Sequence, residues 1–286
     1  MFDSHCHLHD DRMREVRTAA IERAAAAGVR AVLLAGVDES GWRVEDAMRR
    51  QAQPLTIAVA YGLHPQVVPL VDEAELARQL EILAAAARGE RLPDGTTLAR
   101  PHALGEIGLD ARTDETKRCL DLQTRVFREQ LALARALDLP VVLHILRTHE
   151  AALRVLRTDG LPRRGGVVHS FSGSAELVRD YVKLGLFISL SGAVSYSNAR
   201  RLHAAARAVP DELLLVETDA PDQTPPARRP GTNEPAFLVD VIAAVAELRA
   251  QTVAHVAAVT DDNTRRLLGL AQSGIAGCNY PHGTPD

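Results

Sequence analysis

The sequence is poor in the residues that define several protein classes. It has three cysteines, Cys6, Cys119 and Cys278, which are far apart and odd in number. Such a set does not build a disulfide framework and fits a reducing compartment. Aromatic residues make up only 3% of the chain, too few for a surface that stacks successive bases of a nucleic acid.

An excess of positive charge is also absent, because the formal net charge is −4. Proteins that bind nucleic acid through many phosphate contacts are normally basic. Any phosphate contact here would need a local arginine cluster or a metal ion. No apolar run approaches the roughly 18 residues of a membrane helix, and no basic-then-apolar leader opens the chain. We therefore expect a cytoplasmic protein with no membrane contact.

The sequence does contain the material for a large core, with 46% hydrophobic and 24% charged residues among 286. Short apolar runs alternate with longer segments whose apolar residues recur three and four apart, the pattern of strands and amphipathic helices. Eight strands are predicted: Phe2–Ser4, Ala31–Ala35, Leu55–Ala60, Ala103–Glu106, Val141–His144, Val167–His169, Leu186–Leu190 and Leu213–Glu217.

This alternation predicts a parallel sheet covered by helices. Eight units favour a closed (β/α)₈ TIM barrel, and an open doubly wound sheet is the alternative. No internal repeat or change of composition marks a second domain, so residues 1–271 are predicted to form a single domain. Residues 272–286 are rich in glycine and proline, and we expect them to be a disordered tail.

Six side chains that can bind metal follow five of the predicted strands. Carboxyl ends of barrel strands form one rim, so residues far apart in sequence are expected to converge there. A carboxylate or several imidazoles at the end of an apolar strand would be costly to bury without a cation. The six candidate ligands are His5, His7, Glu106, His144, His169 and Asp219.

Six ligands exceed the needs of one tetrahedral ion and suit two divalent ions bridged by Glu106. We expect His5 and His7 to bind one ion together with Glu106. His144 and His169 are expected to bind the other, with Asp219 nearby. Four imidazoles and two carboxylates favour Zn²⁺ or Mn²⁺ over Mg²⁺, although the sequence leaves all three open.

The motifs, taken in order, resemble those of the TatD family of metal-dependent hydrolases, which are amidohydrolase-like TIM barrels. The resemblance covers residues 1 to about 270 and includes FDSHCHLHD, YGLHP, GEIGLD, LPVVLH, HSFSGS, ETDAP, RPGTNEP and VTDDNTRRLLG. It implies a divalent-metal centre formed by the six ligands. It also implies deoxyribonuclease activity, including 3′→5′ exonuclease action on DNA.

The chain departs from the family pattern near the site. His9 stands where the family often has aspartate, and we expect it in a loop or behind the ligands. Cys6 should point away from its histidine neighbours and pack in the core. Ala111 and Arg112 follow GLD where an aromatic residue is common, and ETDAPDQTPP replaces the more usual ETDAPYL. These differences indicate a divergent substrate preference.

Four further residues are candidates for substrate binding. His64 ends the third predicted strand, where it can position a phosphate or cap the turn before the next proline. Arg147 comes just after His144 and can clamp a phosphate. Arg228 and Arg229 lie in the loop after the eighth strand, where they can attract an anionic chain.

Together these features predict a metal-dependent phosphodiesterase that acts on DNA or another phosphodiester. Asp219 is the candidate for the group that takes a proton from the attacking water, and Glu106 would keep the ions at working distance. One alternative is a two-metal ester or amide hydrolase, such as an aminoacyl-tRNA deacylase. Another is a metal-binding scaffold without activity. The oligomeric state is left open, with a monomer as one possibility.

Overall fold

The computed structural model describes residues 1–51 and 54–271. Eight parallel strands pair in chain order, each with the next. This arrangement confirms the predicted (β/α)₈ barrel over the open doubly wound sheet, in which the strand order would reverse. The strands are β1 Phe2–Cys6, β2 Ala31–Ala35, β3 Thr56–Tyr61, β4 Ala103–Asp110, β5 Val141–Leu146, β6 Gly166–Val168, β7 Phe187–Leu190 and β8 Leu214–Val216.

The sheet closes where the chain beyond β8 meets β1. The backbone N–H of Asp219 donates to the carbonyl of His5 at 3.0 Å, and that of His7 donates to Ala220 at 2.7 Å. The buried carboxylate of Asp3 accepts hydrogen bonds from both the backbone N–H and the hydroxyl of Thr218. The first and last metal-ligand motifs are therefore fixed to each other by the closure of the barrel.

Ten α-helices in the described residues pack outside the strands. Five of them begin at a polar N-cap: Asp38, Asp72, Thr113, Ser174 and Thr252 each accept a backbone N–H of the first turn. The helices are α1 Arg17–Ala26, α2 Glu39–Arg50, α3 Glu73–Arg88, α4 Asp114–Arg118, α5 Leu120–Leu137, α6 His149–Asp159, α7 Ala175–Val182, α8 Arg200–Ala208, α9 Leu238–Arg249 and α10 Val253–Leu268.

Two glutamines on α5 brace the rim of the barrel. Gln130 accepts the backbone N–H of Leu63 at 2.8 Å and donates to its carbonyl at 3.1 Å. Gln123 forms the same pair of bonds with Asp110, at 2.8 and 3.1 Å. Both side chains are buried, so the amides replace the water that these strand ends would otherwise bind. They thereby fix the chain just beyond β3 and the end of β4.

The predicted carboxyl ends of three strands are wrong by two residues or more, and the first of these is β1, which continues past Ser4 to Cys6. The sequence placed Glu106 and His144 at the last positions of their strands, whereas β4 continues to Asp110 and β5 to Leu146. The ladder resumes after an irregularity, with Gly108 paired to His144. At Gly108 φ is +140°, and a Cβ would lie 2.1 Å from the carbonyl oxygen of His144. Glycine therefore permits the close approach that extends this pair of strands beyond the site.

The apolar core has two layers. The larger cluster lies between the strands and the helices. A smaller cluster fills the barrel, and its small side chains, such as those of Ala58, Ala60 and Ala103, alternate along the strands with side chains that point outwards. Leu267 and Leu268 of α10 pack against the inner cluster. None of the helices in residues 1–51 and 54–271 is long and apolar enough to cross a membrane. The predicted tail, 272–286, lies outside the described residues, as does Cys278.

Candidate metal centre

The carboxylate of Glu106 lies between two groups of imidazoles at the carboxyl end of the barrel. Its Oε2 atom faces His5 and His7, whose Nε2 atoms lie 3.5 and 3.4 Å away. Asp219 completes this first group, because its Oδ1 lies 3.7 Å and 3.6 Å from the same two nitrogens. Three residues from opposite ends of the sequence thus surround one carboxylate oxygen.

The other carboxylate oxygen of Glu106 faces the second group. His169 Nε2 lies 2.7 Å from Oε1, and His144 Nδ1 lies 3.2 Å from it. His64 Nε2 is also close to this oxygen, at 3.4 Å. The structure therefore brings all six predicted ligands together and adds His64. Asp219 was expected beside His144 and His169, but it lies with His5 and His7.

The centre concentrates negative charge without a permanent positive partner. Burial raises the pKa of Glu106, but the imidazoles of His169, His64 and His5 outweigh it and hold that pKa well below its usual range. Burial also raises the pKa of Asp219, yet His7 and the neighbouring imidazoles lower it to about 2. Within the described part of the chain, neither carboxylate pairs with a lysine or arginine.

Three of the histidines have a partner on the side away from Glu106. His7 Nδ1 lies 3.0 Å from the carbonyl of Ala35, and His144 Nε2 lies 3.0 Å from Asp110 Oδ2. The Nδ1 atom of His169 lies 3.5 Å from Glu217 Oε1. Such outer partners orient metal-binding imidazoles and fix which nitrogen carries the proton. Sequence reasoning missed Asp110 and Glu217, although each is an acidic residue at the end of an apolar strand.

Asp219 is held by a residue from the divergent stretch after ETDAP. The side-chain amide of Gln223 donates to Asp219 Oδ2 at 2.6 Å, and its Oε1 accepts the hydroxyl of Ser191 at 2.7 Å. The same amide also donates to the hydroxyl of Ser170. One oxygen of Asp219 is thus fixed by the protein, while the other faces His5 and His7.

The backbone is strained around this network. Six non-glycine residues among those described have positive φ, and two of them are helix C-caps. The other four lie at the rim of the barrel, where strained backbone commonly holds functional side chains. They are Arg147 (φ 61°), Ser170 (φ 42°), Asp219 (φ 58°) and Gln223 (φ 56°).

The centre opens into a cavity of about 780 Å³. Among the predicted substrate-binding residues, His64 and Arg229 line it, and the guanidinium of Arg229 lies 5.1 Å from the ring of Tyr196. Arg147 and Arg228 are not in its lining, and Arg228 pairs with Asp240 at 2.7 Å. Arg112, which sequence reasoning noted only for the aromatic residue it replaces, also lines the cavity.

The donor set fits divalent cations. Two pairs of imidazole nitrogens, each able to offer a lone pair, lie close together. The distance is 3.2 Å between the Nε2 atoms of His5 and His7, and 3.1 Å between His144 Nδ1 and His169 Nε2. Each pair also faces an ionised oxygen of Glu106. Imidazole nitrogens and carboxylate oxygens in this ratio suit Zn²⁺ or Mn²⁺. A cation in each group would resolve the buried negative charge.

Comparison with known proteins shows the family of this chain. The family model described as TatD related DNase matches residues 2–269. The chain belongs to the TatD family. It is 32% identical to the uncharacterized metal-dependent hydrolase YabD of Bacillus subtilis over 270 residues, 94% of this chain and 99% of that protein.

Two further TatD-family relatives are informative. A Klebsiella pneumoniae protein named 3′-5′ ssDNA/RNA exonuclease TatD is 32% identical over 290 residues, with 96% of this chain and all of that protein covered. The crystal structure of YjjV, a TatD homologue from Escherichia coli, superposes with a TM-score of 0.83 at 32% identity, covering 95% and 98% of the two chains. The present chain is therefore a TatD-family metal-dependent hydrolase.

Two other residues of the FDSHCHLHD motif lie outside the cavity of this TatD-family chain. His9, which stands where the family often has aspartate, is buried, and its Nδ1 lies 3.1 Å from Oε1 of the buried Glu45 on α2. Its ring centroid is 5.5 Å from that of His7, and it does not line the cavity. Cys6 is a fully buried free cysteine within the larger apolar cluster.

Proposed function

We propose that this chain is a two-metal phosphodiesterase of nuclease type that acts on single-stranded nucleic acid. The observation that carries the proposal is Glu106, whose two oxygens each face a separate group of imidazoles. Glu106 would therefore be shared between two ions, and paired ions of this kind catalyse phosphoryl transfer in phosphatases and nucleases. The Klebsiella relative, which is named as a 3′-5′ ssDNA/RNA exonuclease, supports a nucleic acid as the substrate.

His5, His7 and Asp219 would hold one ion, and His144 and His169 the other, with Glu106 shared. Zn²⁺, Mn²⁺ and Mg²⁺ are the candidates, and the nitrogen-rich donor set favours the first two. When bound, such ions polarise the phosphoryl oxygen and lower the pKa of water at the site. The protein contributes a fixed set of ligands and a cavity above them.

Asp219 is the proposed proton acceptor. Its pKa of about 2 keeps it ionised at neutral pH, so it can take the proton of the attacking water. The Gln223 amide holds Oδ2, and the other oxygen, Oδ1, faces the cavity-lining His7. The proton can then pass from Asp219 to the leaving oxygen of the cleaved ester.

The cavity presents two arginines that suit an extended anionic chain. Arg112 follows β4 and Arg229 lies in the loop after β8, and these strands are on opposite sides of an eight-stranded barrel. Neither guanidinium forms an ion pair with a carboxylate in the described ranges, whereas the neighbouring Arg12 pairs with Asp10 and Asp222. A strand crossing the centre would place phosphates near both free charges.

A panel of substrates tests the proposal. Protein reconstituted separately with Zn²⁺, Mn²⁺ and Mg²⁺ is offered labelled single-stranded DNA, RNA, a nitrophenyl phosphodiester, a nitrophenyl ester and aminoacyl-tRNA. We expect cleavage of the phosphodiesters, with DNA or RNA shortened from the 3′ end. Turnover of the carboxylic ester or aminoacyl-tRNA alone would overturn it.

One observation favours the alternative of an ester or amide hydrolase. Ala111 and Arg112 occupy the positions after GLD where an aromatic residue would support a base, and Arg112 lines the cavity. An aminoacyl-tRNA deacylase would use the same centre and still need cationic contacts for the tRNA. The same panel separates the two functions. A cytoplasmic location and a single domain over residues 1–271 stay predictions, and the oligomeric state stays open.

A further inference from the structure

The carboxylate of Glu217 is buried directly behind the metal centre. The residue is fully buried just after β8, and its Oε1 accepts the backbone N–H of Ser170 at 2.6 Å. Its Oε2 has no hydrogen-bond partner in the described chain. An unpartnered carboxylate oxygen in the interior is costly, so a donor is expected to reach it.

Two stacked imidazoles of the centre lie beside Glu217. The rings of His5 and His169 are nearly parallel, 13° apart in orientation with centroids 4.0 Å apart. Both direct Nε2 towards Glu106, at 3.5 Å for His5 and 2.7 Å for His169. In both rings the other nitrogen, Nδ1, is buried and forms no hydrogen bond within residues 1–51 and 54–271, although that of His169 approaches Glu217.

His5, His169 and Glu217 approach one another on the side of the two imidazoles that faces away from Glu106. One nitrogen of each imidazole and one oxygen of Glu217 lie within 4.8 Å of one another. His169 Nδ1 is 3.5 Å from Oε1 of Glu217. A neutral imidazole that offers Nε2 to a cation must carry its proton on Nδ1, and that N–H needs an acceptor. Glu217 has an oxygen for each of the two.

His5 and His169 belong to different groups of the centre, on opposite oxygens of Glu106. We propose that Glu217 is a shared positioning residue, which holds both imidazoles as Nδ1–H tautomers and thereby couples the two ion sites. Asp110 differs, because its carboxylate reaches only His144 among the ligands. The proposal rests on the two-ion centre proposed above, but it does not depend on which bond the enzyme cleaves.

The variant Glu217→Gln tests the shared role. Its carbonyl oxygen can keep the Ser170 N–H, which leaves an amide N–H facing the imidazoles. A donor at that place favours a proton on Nε2, the atom that faces the ion. We expect Zn²⁺ titration by calorimetry to show both ions bound about 10–100-fold more weakly. The matched variant Asp110→Asn should weaken only one ion by a similar factor.

Two outcomes overturn the proposal: Zn²⁺ affinities of Glu217→Gln within twofold of wild type, or a loss at one ion alone, as in Asp110→Asn. Zinc-loaded wild-type protein provides a test that does not require the variant to fold. Long-range ¹H–¹⁵N spectra should show protonated Nδ1 in both His5 and His169. A proton on Nε2 of either ring would contradict the assignment. Neither measurement depends on nuclease activity, so failure of the phosphodiesterase proposal would be visible separately.

Discussion

The two ends of the barrel surround their carboxylates with different partners. At the amino end, just before β8, Asp211 pairs with Arg249 and also contacts His255 at 2.7 Å and Gln251 at 3.0 Å. At the carboxyl end, Glu106 and Asp219 face imidazoles, and no lysine or arginine of the described ranges pairs with them.

This contrast separates a structural cluster from a metal centre. The guanidinium of Arg249 has a permanent charge that neutralises Asp211 whatever the solution contains. An imidazole is a weak and variable partner for a carboxylate, but it is a good ligand for a divalent ion. Acidic residues that pair with a permanently charged side chain stabilise the fold, whereas those surrounded by histidines are suited to bind a divalent cation.

The largest effect is expected from a change at the carboxyl end. Asp219→Asn keeps the shape of the side chain but removes the proton acceptor, so kcat should fall by about 10²–10⁴-fold. The other five ligands should retain most of the metal, as measured by elemental analysis of the purified protein. The variant Asp211→Ala, at the other end, serves as the control with unchanged kcat per folded molecule. Wild-type kcat in Asp219→Asn would remove Asp219 from its proposed role.

The convergence of the six candidate ligands on one rim was predictable because its signal is strong. Each follows a short apolar run, and parallel strands bring their carboxyl ends together, so His5 and Asp219 meet although most of the chain separates them. Closure of the barrel between Asp3 and Thr218 then follows from residues within the same two motifs.

The outer partners could not be predicted from the same signal. Glu217 and Asp219 both end the run LLLVETD, and strand alternation would direct both to the same side. The positive φ of Asp219 breaks this alternation, so only Asp219 faces the cavity while Glu217 stays behind the imidazoles. A similar limit applies to β4, where the glycines in GEIGLD hid its continuation to Asp110. Where glycine permits unusual backbone geometry, the residue types alone do not indicate how the strand continues or to which side the next side chains point.

Asp211→Ala should affect stability rather than catalysis. The Arg249 side chain is only 8% exposed, so loss of Asp211 leaves buried donors without an acceptor. We expect unfolding free energy to fall by about 1–3 kcal/mol, measured by urea denaturation of the metal-loaded protein. Addition of Zn²⁺ should stabilise the variant and the wild type by equal increments. A smaller increment in the variant would show that the two ends are not independent.

Arg112, at the carboxyl end of the barrel, and Arg163, at the amino end, allow the same comparison to be made for substrate binding. Arg112→Ala removes an unpaired cation from the cavity, so KM for single-stranded DNA should rise about 3–10-fold with little change in kcat. The increase should shrink at high salt, because exposed charges are screened. Arg163, an exposed arginine before β6 at the amino end, is the matched control and should leave KM unchanged when replaced by alanine. Equal effects of the two variants would indicate that Arg112 makes no specific contact.

The smallest effect concerns an imidazole at the amino end. His102 precedes β4, and its Nδ1 accepts the backbone N–H of Val59 at 3.1 Å. Burial, with a smaller contribution from Arg49, lowers the pKa of His102 to about 4. In the unfolded chain His102 has a pKa near 6.5, so it binds a proton as the pH falls from 6.5 towards 4. In the folded protein His102 stays neutral over this range.

Stability should therefore decrease on acidification through this range, in contrast to an imidazole whose pKa is raised by a carboxylate. His102 alone contributes a loss of roughly 0.7 kcal/mol between pH 7 and pH 6. The unfolded variant His102→Asn does not take up this proton. Between pH 7 and pH 6 its free energy of unfolding should therefore fall by roughly 0.7 kcal/mol less than that of the wild type. Urea denaturation at the two pH values measures the difference, and the rim histidines cancel because both proteins carry them. Equal pH dependence in the two proteins would mean that His102 titrates normally in the folded state.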